Sequence, residues 1–285
     1  MIAVTGASGH LGRLIVSELL DRNVPAGEIV AIVRTPAKAS DLASRGVEVR
    51  NADYDDGDSL VAAFEGIDRL LLVSASDVGK RVEQHRQVVN AARQTGVEHL
   101  VYTSILAADS ADTILSREHS ATERLILRSG IAHTFLRNGW YLENYTGTLG
   151  QALENGAILG TAGAGRVSAA ARADYAAAAA TVITEEGHEG RTYELGGDEA
   201  FTMTELAEEV SRQSGQPVEY RDLPAEEYRN ALLGFGLPEP VAEMLADADE
   251  GLERGVLYTD SEDLRRLIGR PTTTLTQAVA AALGD

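Results

Sequence analysis

The chain has 285 residues, with 25 Lys and Arg against 44 Asp and Glu, a formal charge of −19 and a pI near 4.7. That balance argues against a nucleic-acid partner, which needs a basic face to neutralise phosphates, and against attraction to an anionic membrane surface. With no cysteine in the chain, disulfides, thiolate nucleophiles, iron–sulfur clusters and cysteine zinc sites are excluded together.

In chain order, apolar runs of strand length alternate with segments of helical period. IAVT (2–5), EIVAIV (28–33), VEVR (47–50), RLLLVS (69–74), HLVYTS (99–104) and AHTFLR (132–137) read as strands. After the first, Leu11, Leu14, Ile15 and Leu19 share the core face of a helix ending near Asp21. Asp58 is placed to cap the SLVAAF segment. Val82, His85, Val88, Val89 and Ala92 make a stripe on a long helix, where His85 reads as a satisfied core histidine. This alternation predicts an α/β protein with a Rossmann-type, doubly wound parallel sheet.

After Arg137 the rhythm changes. Glycine-punctuated GQALENGAILGTAGAG is followed by an alanine-rich helix at 174–183, a strand TYEL at 192–195, and acidic helices at 204–213, 225–233, 239–253 and 261–268. Pro217, Pro224, Pro238, Pro240 and Pro271 punctuate this half at turns and helix starts. The expectation is a dinucleotide-binding domain over 1–140 and a smaller, mostly helical C-terminal cap over 141–285, with elements at about 166–196 returning to the sheet. Residues 1–150 hold 15 basic and 19 acidic side chains, and residues 151–285 hold 10 and 25, so the first half is the better host for an anionic ligand. No apolar run reaches the roughly 20 residues that span a bilayer. The N-terminus lacks the order of a signal peptide, so cytoplasm is the expected compartment. Oligomeric state is open.

The chemistry begins where IAVT runs into Gly6-Ala7-Ser8-Gly9-His10-Leu11-Gly12 and a helix. A GxxGxxG turn in this place suits a pyrophosphate: Gly6 for the tight turn, Gly9 for close approach, Gly12 for packing, and free helix N–H groups for the phosphates. Folds selective for NAD put a carboxylate after the second strand; this chain has Arg34, with Lys38 one turn on, which suits the extra 2′-phosphate of NADPH. Solvated surface charge is the competing reading of both. Asp53 suits an adenine-side contact or a turn. None of the nine tyrosines begins a YxxxK pair, so the proton shuttle of short-chain dehydrogenases is missing. An acceptor that stabilises its own charge after receiving hydride, such as a quinone, needs no such shuttle. Ser74 and Ser76, Thr103 and Ser104, and Asn138-Gly139-Trp140-Tyr141 with Asn144 lie at strand ends, where a flat carbonyl-bearing ring would be held. Trp140 and Tyr141 are read either as that wall or as a staple for the cap. His119 and Glu123, four apart on one helix face, lack a third metal ligand and read as a surface pair; no metal is expected.

VTGASGHLG, AIVRTPAKA, NADY, LLLVSASDVGKRVEQHRQVVNAA, YTSIL, FLRNGWYLENY, ARADYAAAAA and PTTTL, in this order, resemble the NAD(P)H:quinone oxidoreductase type 2 family, NmrA-like atypical short-chain dehydrogenase/reductases. The resemblance implies a flavin-free, NADPH-dependent quinone reductase. It also implies cofactor contacts at Gly6, Ala7, Ser8, Gly9, His10 and Leu11, at Arg34, at Ser74, Ala75 and Ser76, at Arg137, Asn138, Gly139, Trp140, Tyr141 and Leu142, and at Arg172. The acceptor would meet Tyr141, Asn144 and Trp140. His10 stands where the family usually has Gln. The fold is also similar to triphenylmethane dye reductases and to NmrA-like redox sensors that bind NADP(H) without turnover; the amide and aromatic wall argues for an enzyme.

Overall fold

A computed structural model describes residues 1–284. In chain order the elements are β1 (Ile2–Thr5), α1 (His10–Asp21), β2 (Ile29–Val33), α2 (Ser40–Ser44), β3 (Glu48–Asn51), α3 (Gly57–Ala63), β4 (Arg69–Leu72), α4 (Arg81–Thr95), β5 (His99–Ile105), α5 (Ile114–Ser129) and β6 (Ala132–Asn138). They continue as α6 (Leu142–Thr146), α7 (Leu149–Asn155), β7 (Ala157–Gly160), β8 (Arg166–Val167), α8 (Arg172–Thr184), β9 (Thr192–Leu195), β10 (Phe201–Thr202), α9 (Met203–Ser214), β11 (Glu219–Asp222), α10 (Ala225–Gly234), α11 (Glu239–Glu253), α12 (Asp263–Ile268) and α13 (Leu275–Gly284).

Two compact units result. The first holds residues 1–104, 118–137 and 172–193, the second 105–117, 138–171 and 194–285. A seven-stranded sheet of order β3-β2-β1-β4-β5-β6-β9 organises the first. Its β1–β2, β2–β3, β1–β4 and β4–β5 pairs are parallel. Because β1 leads to β2 on one side and lies against β4 on the other, chain order reverses there and leaves a crevice beyond the strands' carboxyl ends. All five residues of β2 are buried, as expected for a parallel strand covered on both faces. In the second unit, short pairings β7–β11 (parallel) and β8–β10 (antiparallel) lie among the helices. The glycine-punctuated segment supplies β7 and leads into β8; the sequence announced neither, because strands this short carry no usable periodicity.

Three local expectations need correction. Leu14 is 37 % exposed, whereas Leu11, Gly12, Ile15, Val16 and Leu19 are buried. The helix packs with an arc centred between Ile15 and Val16, and Leu14, about 100° round from Ile15, falls off its edge. The cap of α3 is Asp56, whose carboxylate accepts from Asp58 N and Ser59 N; Asp58 sits inside the first turn, too late to reach those groups. His119 and Glu123 are buried, at 6 % and 5 % exposure, and form no surface pair. Their partners, given below, replace the water a surface pair would have. Strand β4 also ends at Leu72, which leaves Ser74 in the loop beyond it.

Candidate functional site

In the first unit the carboxyl ends of β1, β2 and β4 bring three sequence motifs to the crevice. Gly6 turns the chain out of β1 at φ +60°, a conformation side chains rarely adopt, and Gly9 N donates to Gly6 O at 2.9 Å. A Cβ on Gly12 would stand 2.4 Å from Gly6 O, so only glycine lets α1 start this close to the turn. Gly9 caps α1 without a side-chain acceptor, and the first N–H groups of the helix therefore remain available to an anion. The cradle fits a pyrophosphate.

Tyr54, which the sequence reading did not single out as a site residue, underlies this turn. Its hydroxyl lies 2.5 Å from Thr5 Oγ1 and 2.9 Å from Val73 O, bridging the ends of β1 and β4. Thr5 Oγ1 accepts from Val73 N at 3.1 Å and donates to Leu71 O at 3.3 Å. Burial pushes the phenol well above its usual range, against the weaker pull of the Thr5 hydrogen bond and the Arg34 charge, so it stays a neutral structural hydroxyl.

Arg34 follows β2 and is exposed. Asn51 Nδ2 donates to the carbonyls of Val33 and Arg34 at 3.2 and 2.8 Å, which fixes the backbone from which the guanidinium projects. Lys38 lies in the turn Pro36–Ala39; its carbonyl accepts from the Arg13 guanidinium at 2.5 Å, and Arg13 also pairs with Asp41. Arg13 therefore ties the first turn of α1 to the turn carrying Lys38. Asp53 makes a turn: its Oδ1 accepts from Asp55 N at 3.1 Å.

Ser74, Ala75 and Ser76 leave β4 with their backbone held by side chains. Ser74 N donates to Thr103 Oγ1 at 2.9 Å, Ala75 N donates to His85 Nε2 at 2.9 Å, and Ala75 O accepts from Arg81 Nε at 2.8 Å. Arg81 pairs with Glu118, whose Oε1 also accepts from Gly79 N at 2.7 Å. His85 is the buried, satisfied histidine its helical stripe implied.

Deeper under β5, the Tyr102 hydroxyl lies 2.7 Å from His119 Nδ1. Burial first, then the Arg81 charge, hold His119 far below its usual value, so it is neutral. Arg137 grips Glu123 with two hydrogen bonds, Nε to Oε1 at 2.9 Å and a terminal nitrogen to Oε2 at 2.7 Å, and Ser104 donates to the same carboxylate at 2.7 Å. Arg137 thus faces a buried carboxylate rather than the surface. Arg172 opens α8. The i, i+4 relation of Arg81 and His85 on the core face of α4 is the signal that could have found this support.

In the second unit, Asn138 O accepts from Leu106 N at 3.0 Å, and the buried Asn138 Oδ1 has no hydrogen-bond partner among the described residues. Gly139 N donates to Leu195 O at 2.7 Å, Ala170 N to Trp140 O at 3.1 Å, and Leu142 N to Ala170 O at 3.0 Å. These bonds fix Tyr141 as the N-cap residue of α6. Tyr141 is half-buried and Asn144, one turn on, is exposed. Trp140 packs on the apolar core of this unit and borders a void of about 10 Å³ with Ile105, Leu115 and Leu257. A void of that size does not hold a quinone.

Glycine turn, switch point and terminal cation together define a Rossmann-type dinucleotide-binding protein. The chain belongs to the NmrA-like family, which it matches over residues 1–267. It is 51 % identical over 280 residues to quinone oxidoreductase 2 of Escherichia coli, covering 98 % of both chains. The crystal structure of the NADPH-dependent quinone oxidoreductase QOR2 of Escherichia coli in complex with NADPH superposes with a TM-score of 0.96, over 99 % of this chain and 100 % of that one at 51 % identity. The triphenylmethane reductase of Citrobacter sp. in complex with NADP(H) superposes at 0.93, over 99 % and 100 % of the two chains at 42 % identity. No helix among the described residues is long and apolar enough to cross a membrane.

Proposed function

We propose that this chain is an NADPH-dependent oxidoreductase that reduces quinones without flavin. When bound, NADPH supplies the hydride. The glycine turn Gly6–Gly12 and the first amides of α1 hold the pyrophosphate, Arg34 with Lys38 holds the 2′-phosphate, and the Ser74–Ser76 loop lines the same crevice. Asn138 offers an unpaired buried acceptor, a group that a ligand N–H would satisfy. Tyr141 and Asn144 bind the acceptor. A quinone that has taken up hydride is a phenolate-type anion that water can protonate, which agrees with the absence of a YxxxK pair.

The observation that carries this reading is Arg34, rather than a carboxylate, at the end of β2 beside the glycine turn. Identity of 51 % to a quinone oxidoreductase supports the choice of acceptor. The test mixes purified protein, NADPH and a simple benzoquinone and follows the nicotinamide absorbance. Loss of absorbance at a rate proportional to enzyme is expected. Oxidation with a cationic triarylmethane dye but not with quinones would favour the second reading, which the 42 % identity to a triphenylmethane reductase supports. Binding without oxidation of NADPH by either acceptor would leave a redox sensor.

A further inference from the structure

We propose that His85 and Arg81, on one face of α4, are positioning residues that hold Ala75 by its backbone N–H and C=O and so preset the Ser74–Ser76 loop for the dinucleotide. This rests on the reading of that loop as a cofactor contact. Beyond Leu72 the loop has left the sheet; its order has to come from side chains. Three consecutive backbone groups are so held: Ser74 N–H by Thr103, Ala75 N–H by His85, Ala75 C=O by Arg81. The Ser76 side chain is exposed, whereas that of Ser74 is half-buried, with a long Oγ contact to Ala75 O at 3.3 Å and a hydrogen bond with the Tyr102 hydroxyl.

The tautomer of His85 follows from its other nitrogen. Nδ1 lies 3.0 Å from Thr122 Oγ1, and that hydroxyl donates its proton to Glu118 O at 3.1 Å. Thr122 can only accept from the ring, so Nδ1 carries the hydrogen and Nε2 is left bare to accept Ala75 N–H. A charged ring could not accept at all. The groups around it are Arg81 on its own helix, Tyr54 with its ring centroid 6.2 Å away, Tyr102 on β5 at 5.4 Å, and Glu118, Thr122 and His119 on α5. Burial first, then the Arg81 charge, pushes the imidazole down to about 3, so the acceptor stays in place at working pH. Arg81 is anchored in turn by Glu118, which also accepts from Gly79 N, so the chain between Ala75 and α4 is tied at two points to α5.

The test titrates NADPH calorimetrically into the wild type, His85→Leu and His85→Gln, whose amide oxygen can take the Nε2 position. His85→Leu is expected to weaken NADPH by about tenfold, the loss of one oriented hydrogen bond, with kcat at saturating NADPH unchanged. His85→Gln is expected to recover most of that affinity. Nitrogen NMR of the wild-type ring should show the neutral Nδ1–H form from about pH 5 to about pH 8. Should His85→Leu not fold, Arg81→Lys tests the carbonyl side and should weaken NADPH several-fold. Wild-type affinity in His85→Leu, or in Arg81→Lys where that variant replaces it, would overturn the proposal. So would equal weakness of the Leu and Gln variants with equally lowered melting points, or a ring that titrates near neutrality. A wild-type protein that binds no NADPH would instead overturn the proposed function itself.

Discussion

The two units bury polar groups in opposite ways. In the first, the buried ionisable groups under the crevice are cations, carboxylates and neutral histidines matched one to one: Arg81 with Glu118, Arg137 with Glu123, Tyr102 with His119. In the second, Asp249 is half-buried among phenols, beside the exposed Asp222. Its Oδ2 accepts from Thr161 N at 3.2 Å, Tyr220 donates to the neighbouring Asp222 at 2.9 Å, and the buried Tyr145 hydroxyl has no hydrogen-bond partner among the described residues. Burial first, and Asp222 as well, push Asp249 up to about 6, and Tyr145 and Tyr228 rise with it. In the first unit the ionisable groups behind the Ser74–Ser76 loop are matched in charge, whereas the second carries a carboxyl group whose protonation changes near pH 6.

The largest effect should come from breaking a matched pair. Glu123→Leu leaves the Arg137 guanidinium buried without its carboxylate and should cost about 3–5 kcal/mol in denaturant unfolding. A cost under about 1 kcal/mol would mean that the pair behaves as a surface one. Next comes the carboxyl group of the second unit. The folded-state value of Asp249 is raised, so its contribution is complete below its ordinary value of 3.8 and is lost as pH rises through about 6. Asp249→Asn should therefore raise the melting point at pH 8 and leave it little changed near pH 3. His85 has the opposite sign: its contribution is complete above 6.5 and is lost as pH falls toward about 3. A melting point for Asp249→Asn that moves equally at both pH values would remove the contrast. On the proposed assignment of both side chains to the acceptor, Tyr141→Ala and Asn144→Ala should each slow quinone reduction by about tenfold while NADPH affinity holds. Unchanged rates would return both residues to structural roles. The smallest effect sharpens the account of α3: Asp56→Ala should lower stability by about 1 kcal/mol and Asp58→Ala by much less.

The first unit was far more legible in the sequence than the second, for physical reasons. Gly6, Gly9 and Gly12 are demanded by backbone geometry that no other residue satisfies, so their spacing alone announces the turn. The strands β1, β2, β5 and β6 are built around apolar or β-branched residues and were found within a residue or so. Leu14 misled because periodicity gives a helix face only to within one position. His119 and Glu123 misled because charge looks like surface until its partners, Tyr102 and the distant Arg137, are in place. Tyr54 and Arg13 were invisible because they act on groups brought near by the fold, and of the His85–Arg81 clamp the sequence showed only the place of His85 on the core face. In the second unit, β7, β8, β10 and β11 escaped notice because strands of two to four residues carry no usable periodicity.

Everything functional depends on a phosphorylated dinucleotide lying on the glycine turn with Arg34 at its 2′ end. Calorimetric titration of NADPH and of NADH into the wild type and into Arg34→Asp tests this most directly. The account predicts that the wild type prefers NADPH, and that the substitution weakens NADPH by about 10- to 100-fold, the worth of a charge-assisted hydrogen-bond pair, while NADH changes little. Equal losses for both nucleotides, or a wild type that binds the two alike, would contradict it.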